Sequence, residues 1–266
     1  MVATSTDVWV SGDGYESYVG RWSRLVAREF LHWLDVSPDR HWLDVGCGTG
    51  ALTQTVVDVA APASVQAVDR SASFVEFARH RVRDPRASFS VADAQSLPQS
   101  SGSIDAVVSG LVLNFIPRPE AAVSEMARVT RAGGVVAVYV WDYADRMQLM
   151  RYFWDAAIAL DARGEELNEA RRFPLCAPAP LEALFRSAGL ERVESRAIDV
   201  PTRFRDFDDF WRPFLSGQGP GPAYTMSLSE ERRVALRDRV HGALPVAADG
   251  SIDLIARAWA VRGTRC

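Results

Sequence analysis

The stretch WLDVGCGTG, residues 42–50, sets a short, mostly apolar segment directly before three glycines that alternate with other residues. A segment of this length is typical of a buried strand, and glycines allow a tight turn that a ligand can approach closely. Open α/β sheets bind nucleotides at such turns, beyond the carboxyl ends of their strands. We therefore predict a nucleotide-binding loop between a first strand at 41–45 and a helix at 52–59.

The order of strand, loop and helix repeats along the chain. The hydrophobic pattern predicts strands at 41–45, 65–68, 88–91, 104–108, 135–141, 193–200 and 252–261. Helices are predicted at 22–34, 52–59, 73–82, 119–130, 147–160, 181–188 and 229–244, the fourth of them ended by Gly133 and Gly134. Such alternation predicts an α/β fold with a doubly wound, seven-stranded, mainly parallel sheet.

The alternation breaks after Trp141, where an extra helical pattern and a proline-rich joint at Pro174, Pro178 and Pro180 interrupt the strands. We interpret these interruptions as helical lid insertions over the open end of the sheet. The predicted domains are an N-terminal helical cap (1–40), a nucleotide-binding core (41–142), an inserted helical lid (143–178), and the C-terminal part of the core (179–266) with a second insertion near 205–228.

The composition narrows the class of function. A formal net charge of -4 argues against a nucleic-acid partner, which requires a basic surface. The longest apolar run, 135–141, is too short to cross a bilayer, and the first residues lack the pattern of a signal peptide. The three cysteines are widely separated and lack the spacing of metal ligands. We expect a cytoplasmic monomer or homodimer with no metal, membrane or nucleic-acid partner.

Asp44 lies two residues before the first glycine of the loop. A negative charge there repels the pyrophosphate of a dinucleotide, and it suits a ligand that carries an ammonium and a sulfonium group. Asp44 is therefore the main argument against a nicotinamide-dependent dehydrogenase. Cys47, inside the loop, is interpreted as a small filling residue rather than a nucleophile.

Two further carboxylates follow the next two predicted strands. Asp69 lies 19 residues beyond Gly50 and can accept hydrogen bonds from both hydroxyls of a ribose. Asp93 can accept from an adenine amino group, while the backbone N–H of Ala94 meets a ring nitrogen. The competing interpretation of each carboxylate is structural, such as a cap for the next helix. Taken together with Asp44, they point to a cationic adenosyl compound.

From 42 to 141 the chain resembles the class I S-adenosylmethionine-dependent methyltransferases of the small-molecule type. The stretches that carry the resemblance are WLDVGCGTG, AVDRS, VADAQSLP, IDAVVSGLVLNFIP and EMARVTRAGG, in this order and spacing. The resemblance implies a Rossmann-like methyltransferase fold with S-adenosylmethionine as cofactor. It also implies that the loop of Gly46, Gly48 and Gly50 runs past the methionine part, and that Arg70 packs beside the adenine.

The same resemblance extends to residues on either side of the loop. It implies that Ser109, after the fourth strand, borders the methionine and the target site. In related enzymes the first helix closes over the cofactor, so Tyr18 or Arg21 would meet the cofactor's carboxylate. A surface helix with ordinary aromatic packing is the alternative interpretation of those two residues.

The acceptor site is harder to assign, because methyl transfer depends mainly on in-line positioning and exclusion of water. No catalytic residue is assigned. The sequence lacks the Asn/Asp-Pro-Pro-aromatic motif of amine-methylating DNA enzymes, which favours a small-molecule acceptor. The predicted substrate-facing residues are Asn114, Trp141, Asp142, Tyr143 and Trp211.

Three functions stay open at this point. The first is transfer of a methyl group to oxygen, nitrogen or carbon of a small metabolite. The second keeps the cofactor but transfers no methyl group: the enzyme cyclises the aminobutyryl arm with release of methylthioadenosine, or steers a rearrangement. The third is a non-catalytic binding or regulatory subunit that retains the fold.

Overall fold

The computed structural model describes residues 20–217 and 219–266. One seven-stranded sheet runs in the order β3-β2-β1-β4-β5-β7-β6. The strands are β1 (His41–Val45), β2 (Ser64–Asp69), β3 (Ala87–Val91), β4 (Ile104–Gly110), β5 (Thr130–Trp141), β6 (Leu190–Phe204) and β7 (Ile252–Arg265). The sheet is mostly parallel with one antiparallel hairpin, so the predicted fold class is confirmed.

Helices connect the strands. They are α1 (Arg21–Leu34), α2 (Ala51–Val59), α3 (Ala72–Arg81), α4 (Pro119–Val129), α5 (Gln148–Leu160), α6 (Arg163–Leu167), α7 (Glu169–Arg172), α8 (Pro178–Ser187), α9 (Phe207–Trp211), α10 (Pro220–Ser227) and α11 (Glu230–Ala243). Within the described part of the chain, none of them is both long enough and apolar enough to span a membrane.

The strand order reverses direction beside β1. β1 pairs in parallel with β2 on one side and with β4 on the other, so that Asp44 lies opposite Ala67 and Val108. From β1 the chain order therefore runs outward to β2 and β3 on one side, and to β4 and β5 on the other. A reversal of this kind opens a crevice at the carboxyl ends of the two strands, where α/β proteins bind their ligands.

The chain forms two compact units. The first unit comprises Ser23–Val140, Ala177–Ile198 and Ala258–Cys266. The second unit comprises Trp141–Cys176 and Asp199–Arg257, together with the described residues before Ser23. Most of the predicted insertions, at 143–178 and 205–228, thus belong to the second unit. Their role as a lid over the sheet stays a prediction.

Several predicted boundaries were wrong: β6 and β7 extend beyond the predicted 193–200 and 252–261, and the borders of α4 and α8 also differ. α4 ends at Val129 rather than at the glycine pair, because Thr130 already begins β5 opposite Ile104. α8 begins at Pro178, inside the predicted joint. Proline is compatible with the first turn of a helix, where its missing N–H would have no partner within the helix.

Candidate functional site

The loop after β1 owes its shape to three glycines with left-handed backbones. The φ angles of Gly46, Gly48 and Gly50 are 75°, 50° and 81°, a region that residues with a side chain enter only at a cost. The loop is bonded to β2, since the N–H groups of Gly46 and Cys47 donate to the carbonyl of Val68 at 2.7 and 2.9 Å. The glycines therefore fold the loop back over the end of the neighbouring strand.

The three glycines differ in what surrounds them. A β-carbon on Gly46 would lie 2.5 Å from Cγ1 of Val112, and one on Gly50 would lie 3.0 Å from Cγ2 of Val82. A β-carbon on Gly48 would meet no described atom within 4 Å. Gly46 and Gly50 are thus required by packing, whereas the backbone at Gly48 borders open space that a ligand can enter.

Asp44, on β1 directly before this loop, is fully buried. The hydroxyl of Thr53 on α2 donates to its Oδ2 at 2.6 Å, while its Oδ1 is buried with no hydrogen-bond partner among the described residues. Burial raises the pKa of Asp44 from 3.8 to about 7, and the nearby charge of Asp69 adds to this effect. A buried carboxylate with one unused oxygen fits a cationic or hydrogen-donating ligand, because an unpaired buried charge is costly.

Asp69 ends β2 and connects the loop to the following helix. Its Oδ2 accepts from the N–H of Gly48 at 3.0 Å, and its Oδ1 accepts from the N–H of Ser71 at 2.8 Å. Burial raises the pKa of Asp69 despite these two hydrogen bonds. Asp69 therefore has a structural role, although Ser71 rather than Asp69 is the N-cap of α3. This role does not exclude ligand binding, because each carboxylate oxygen has capacity for a second donor.

Asp93 lies in a turn after β3 and is exposed. The backbone N–H of Gln95 donates to its Oδ1 at 2.9 Å, and this bond, followed by the Gln95 side-chain amide, lowers the pKa of Asp93. The positive charge of Arg70, which is also exposed, lowers the pKa of both Asp69 and Asp93. Arg70 therefore lies near both carboxylates. Ala94 follows Asp93 in the turn after β3.

Two predicted residues lie at or after the carboxyl end of β4. Ser109 is buried, and its Oγ has no hydrogen-bond partner within residues 20–217 and 219–266. Asn114 is half-buried in the 3-10 turn Leu113–Phe115 that follows the strand. β4 pairs with β1, so the switch point of the sheet brings this end of β4 beside the strand that carries Asp44.

The remaining predicted substrate-facing residues belong to the second unit and are buried there. The ring centroid of Tyr143 lies 5.8 Å from that of Phe173, and the Trp211 centroid lies 5.8 Å from that of Phe214. Burial raises the pKa of Asp142, which also accepts a hydrogen bond from the Asp145 N–H at 3.0 Å. These aromatic contacts are those of a packed core, and the substrate-facing roles, including that of Trp141, stay predictions.

Arg21 makes its described contacts within the second unit. Its Nη1 donates to Oδ1 of Asp209 at 3.1 Å, and its guanidinium lies 4.5 Å from the ring centroid of Phe204. The predicted contact with a cofactor carboxylate is not tested by this arrangement. Tyr18, the other candidate for that contact, lies outside the described residues.

Sequence reasoning missed two partners of the loop, Thr53 and Val112. Thr53 had a weak signal, since a hydroxyl two to three residues into α2 faces back towards β1. Val112 had no such signal, because it reaches Gly46 only through the pairing of β4 with β1.

Burial raises the pKa of the Cys47 thiol, and the charges of Asp44 and Asp69 raise it further. A raised pKa agrees with the interpretation of Cys47 as a filling residue rather than a nucleophile.

Residues 43–138 match the family model described as a methyltransferase domain. This stretch is similar to methyltransferase domains. The match runs from β1 into β5 and includes the glycine loop, Asp44, Asp69 and Asp93.

Similar proteins include curated methyltransferases. Methyltransferase GfsG of Streptomyces halstedii is 33% identical over 174 residues, which cover 64% of this chain and 59% of that protein. The demethylmenaquinone methyltransferase of Renibacterium salmoninarum is 34% identical over 118 residues, covering 44% of this chain and 46% of the relative. The chain thus spans about half the length of these relatives.

A solved structure shares the fold of this chain. The phosphoethanolamine N-methyltransferase 2 of Haemonchus contortus, in complex with S-adenosyl-L-methionine, aligns with a TM-score of 0.60 and 15% identity. The alignment covers 99% of this chain and 60% of that one. At this identity the likeness establishes the fold alone.

Proposed function

We propose that this chain binds S-adenosylmethionine and transfers its methyl group to a small-molecule acceptor. The observation that carries the proposal is Asp44, a fully buried carboxylate with one unused oxygen beside the glycine loop. A dinucleotide would bring phosphate charge towards this carboxylate. A cofactor with an ammonium and a sulfonium group would instead bring positive charge, which offsets the cost of burying Asp44.

The residues around the loop fit the parts of such a cofactor. Asp44 and the open backbone at Gly48 would receive the methionine part. Asp69 would accept from the ribose hydroxyls with its remaining lone pairs, and Asp93, Ala94 and Arg70 would border the adenine. The buried, unused hydroxyl of Ser109 at the end of β4 supports its place on the acceptor side.

The chain's own contribution to the reaction would be positioning. The bound cofactor supplies an electrophilic methyl group, so the protein has to align the acceptor in line with it and exclude water. The loop hydrogen bonds to Val68 and Asp69 hold the backbone in one shape before any ligand arrives. This rigidity reduces the conformational cost of binding. No general base is assigned.

Product analysis tests the proposal directly. The full chain is incubated with S-adenosylmethionine and a panel of small phenols, amines, carboxylic acids and quinols, and the products are analysed by mass spectrometry. S-adenosylhomocysteine with a methylated acceptor is the expected result. Methylthioadenosine would show attack on the aminobutyryl arm, and a changed acceptor with intact cofactor would show a steered rearrangement. Failure to bind the cofactor in calorimetry would contradict the proposal.

Asp69→Asn tests the assignment of the ribose site. We expect S-adenosylmethionine affinity to fall at least about tenfold, equivalent to about 1.4 kcal/mol, because the amide accepts through one oxygen and repels hydroxyl donors with its NH₂. Asp84→Asn is the matched control: the Asp84 Oδ1 accepts from the N–H two residues on at 2.9 Å, just as that of Asp69 does. Asp84 precedes β3, at the opposite end of the parallel strands. Equal affinity losses in both variants would contradict the assignment.

A further inference from the structure

Leu111, the residue directly after β4, has a left-handed backbone with φ 63°. The other described non-glycine residues with positive φ are Asp35, Asp39, Ala61 and Arg192. Aspartate enters this region comparatively easily, whereas a bulky side chain such as leucine is a true outlier there. Backbone strain of this kind persists only where the surrounding structure imposes it, and it is concentrated at functional sites.

Tyr139 on β5 holds the backbone that leads into Leu111. Its carbonyl accepts from the N–H of Leu111 at 2.8 Å. Its side chain covers the preceding residue so closely that a β-carbon on Gly110 would lie 2.5 Å from the tyrosine oxygen. The Tyr139 ring is itself buried against Phe30, with their centroids 4.8 Å apart. The neighbouring strand thus fixes how the chain leaves β4.

The next residue along the chain, Val112, lies on the glycine loop. Its Cγ1, Cγ2 and Cβ atoms would be 2.5, 2.9 and 3.0 Å from a β-carbon on Gly46. The side chain therefore covers the face of Gly46 from which a substituent would project. Gly46 is held from the opposite direction by its hydrogen bond to Val68 on β2. The loop is confined between the end of β2 and the residue that follows Leu111.

We propose that Leu111 is a positioning residue, whose left-handed backbone holds Val112 against Gly46 and so keeps the glycine loop in the shape that receives the cofactor. The consequence for cofactor binding rests on the proposed function. The effect on the shape of the loop does not, and it can be measured in the ligand-free protein. Leu111 acts through Val112, and it links the strand end that borders the acceptor side to the loop on the cofactor side.

Leu111→Val disfavours this left-handed backbone further, because β-branched side chains are the least compatible with positive φ. In the ligand-free protein, we expect the amide hydrogens of Gly46, Cys47 and Gly50 to exchange about tenfold faster, as the loop opens more often. The amides of the central strands β1 and β4 serve as the internal reference for global stability. Val112→Ala, which removes the contact with Gly46 but leaves the backbone of Leu111 unchanged, is expected to give the same local increase.

Ala61→Val is the matched control. Ala61 also has a positive φ, 44°, but it lies just past the end of α2 and before the start of β2, away from the loop. Valine adds the same kind of backbone strain there, so loop exchange should stay at the wild-type rate. Unchanged loop exchange in Leu111→Val, or an equal increase in Ala61→Val, would overturn the proposal.

Calorimetry with S-adenosylmethionine measures the consequence for binding. We expect Leu111→Val and Val112→Ala to bind at least about fivefold more weakly, because part of the binding free energy is then spent on closing the loop. Ala61→Val should bind as the wild type does. If the wild type itself does not bind S-adenosylmethionine, the proposed function fails, and the exchange rates of the ligand-free variants still decide the role of Leu111.

Discussion

At the scale of single residues, two of the loop glycines, Gly46 and Gly48, should respond differently to the same substitution. Gly46→Ala combines a left-handed backbone with a β-carbon 2.5 Å from Val112, so we expect a loss of about 2–4 kcal/mol in the free energy of unfolding. Gly48→Ala meets open space and should lose about 1–2 kcal/mol from backbone strain alone. Denaturant unfolding of the two variants measures the difference.

Gly48→Ala also tests whether the cofactor approaches the loop. Because the methyl group of Gly48→Ala enters the space proposed for the cofactor, its S-adenosylmethionine affinity should fall about tenfold or more. Gly189→Ala is the control, since Gly189 has φ 76° and no described atom within 4 Å of its added carbon, but lies after α8. Normal affinity in Gly48→Ala would show that the cofactor does not approach this part of the loop.

At the scale of elements, β1 and α2 are joined by the hydrogen bond from Thr53 to Asp44. We expect Thr53→Val to lower the free energy of unfolding by about 1–3 kcal/mol, because it leaves Oδ2 of the buried carboxylate without its donor. It should also raise the pKa of Asp44 further, since this bond favours the ionised form. Urea unfolding and its pH dependence measure both effects.

Thr53→Ser is the control for that prediction, because serine retains the hydroxyl. It should keep most of the stability and the wild-type pH dependence. If serine destabilises the protein as much as valine does, the methyl packing of Thr53, rather than its hydrogen bond, joins the two elements.

The helices and strands also show which elements the sequence pattern is sufficient to predict. All seven predicted strands and all seven predicted helices are present in the structure. They could be predicted because each has enough residues for its hydrophobic period to be recognised in the sequence. The helices α6, α7 and α9 have only four or five residues, less than two turns, so no period could reveal them. The fourth missed helix, α10, begins within a run of glycine and proline that favours a loop. The border between α4 and β5 was missed because pairing with β4, rather than the glycines, decides where the strand begins.

At the scale of the whole molecule, Asp44 makes stability depend on pH. The folded state holds the Asp44 proton up to a pKa of about 7, whereas the ordinary value is 3.8. The folded state therefore binds more protons between these values, so the free energy of unfolding falls as pH rises from about 4 to 7 and then levels off. The loss from this residue amounts to at most about 4 kcal/mol. Asp69 and Asp142, whose pKa values are also raised, act in the same direction.

Asp44→Asn isolates that contribution. In ligand-free protein, the variant should lose the Asp44 share of the pH dependence between pH 5 and 7 and be more stable than the wild type at about pH 8. Unfolding free energies measured at several pH values give the comparison. A wild-type slope that persists in the variant would assign the pH dependence to other groups.

Ligand binding should show the opposite pH trend. If a cationic cofactor requires the ionised form of Asp44, its affinity rises as pH increases through about 7, with release of a proton. Calorimetry in two buffers of different ionisation enthalpy measures the proton directly. Pairing with the cofactor would thus offset the cost of the buried charge that destabilises the free protein.

The sequence by itself determined the sheet, the loop and the order of the carboxylates Asp44, Asp69 and Asp93. Each of these features lies in a short stretch, where local hydrophobic period and glycine spacing are enough to predict it. It did not determine the unused oxygen of Asp44, the contact of Val112 with Gly46, or the strained backbone of Leu111. Those depend on β1, β4 and β5 lying side by side, and residues that are remote in the chain become neighbours only when the sheet has formed.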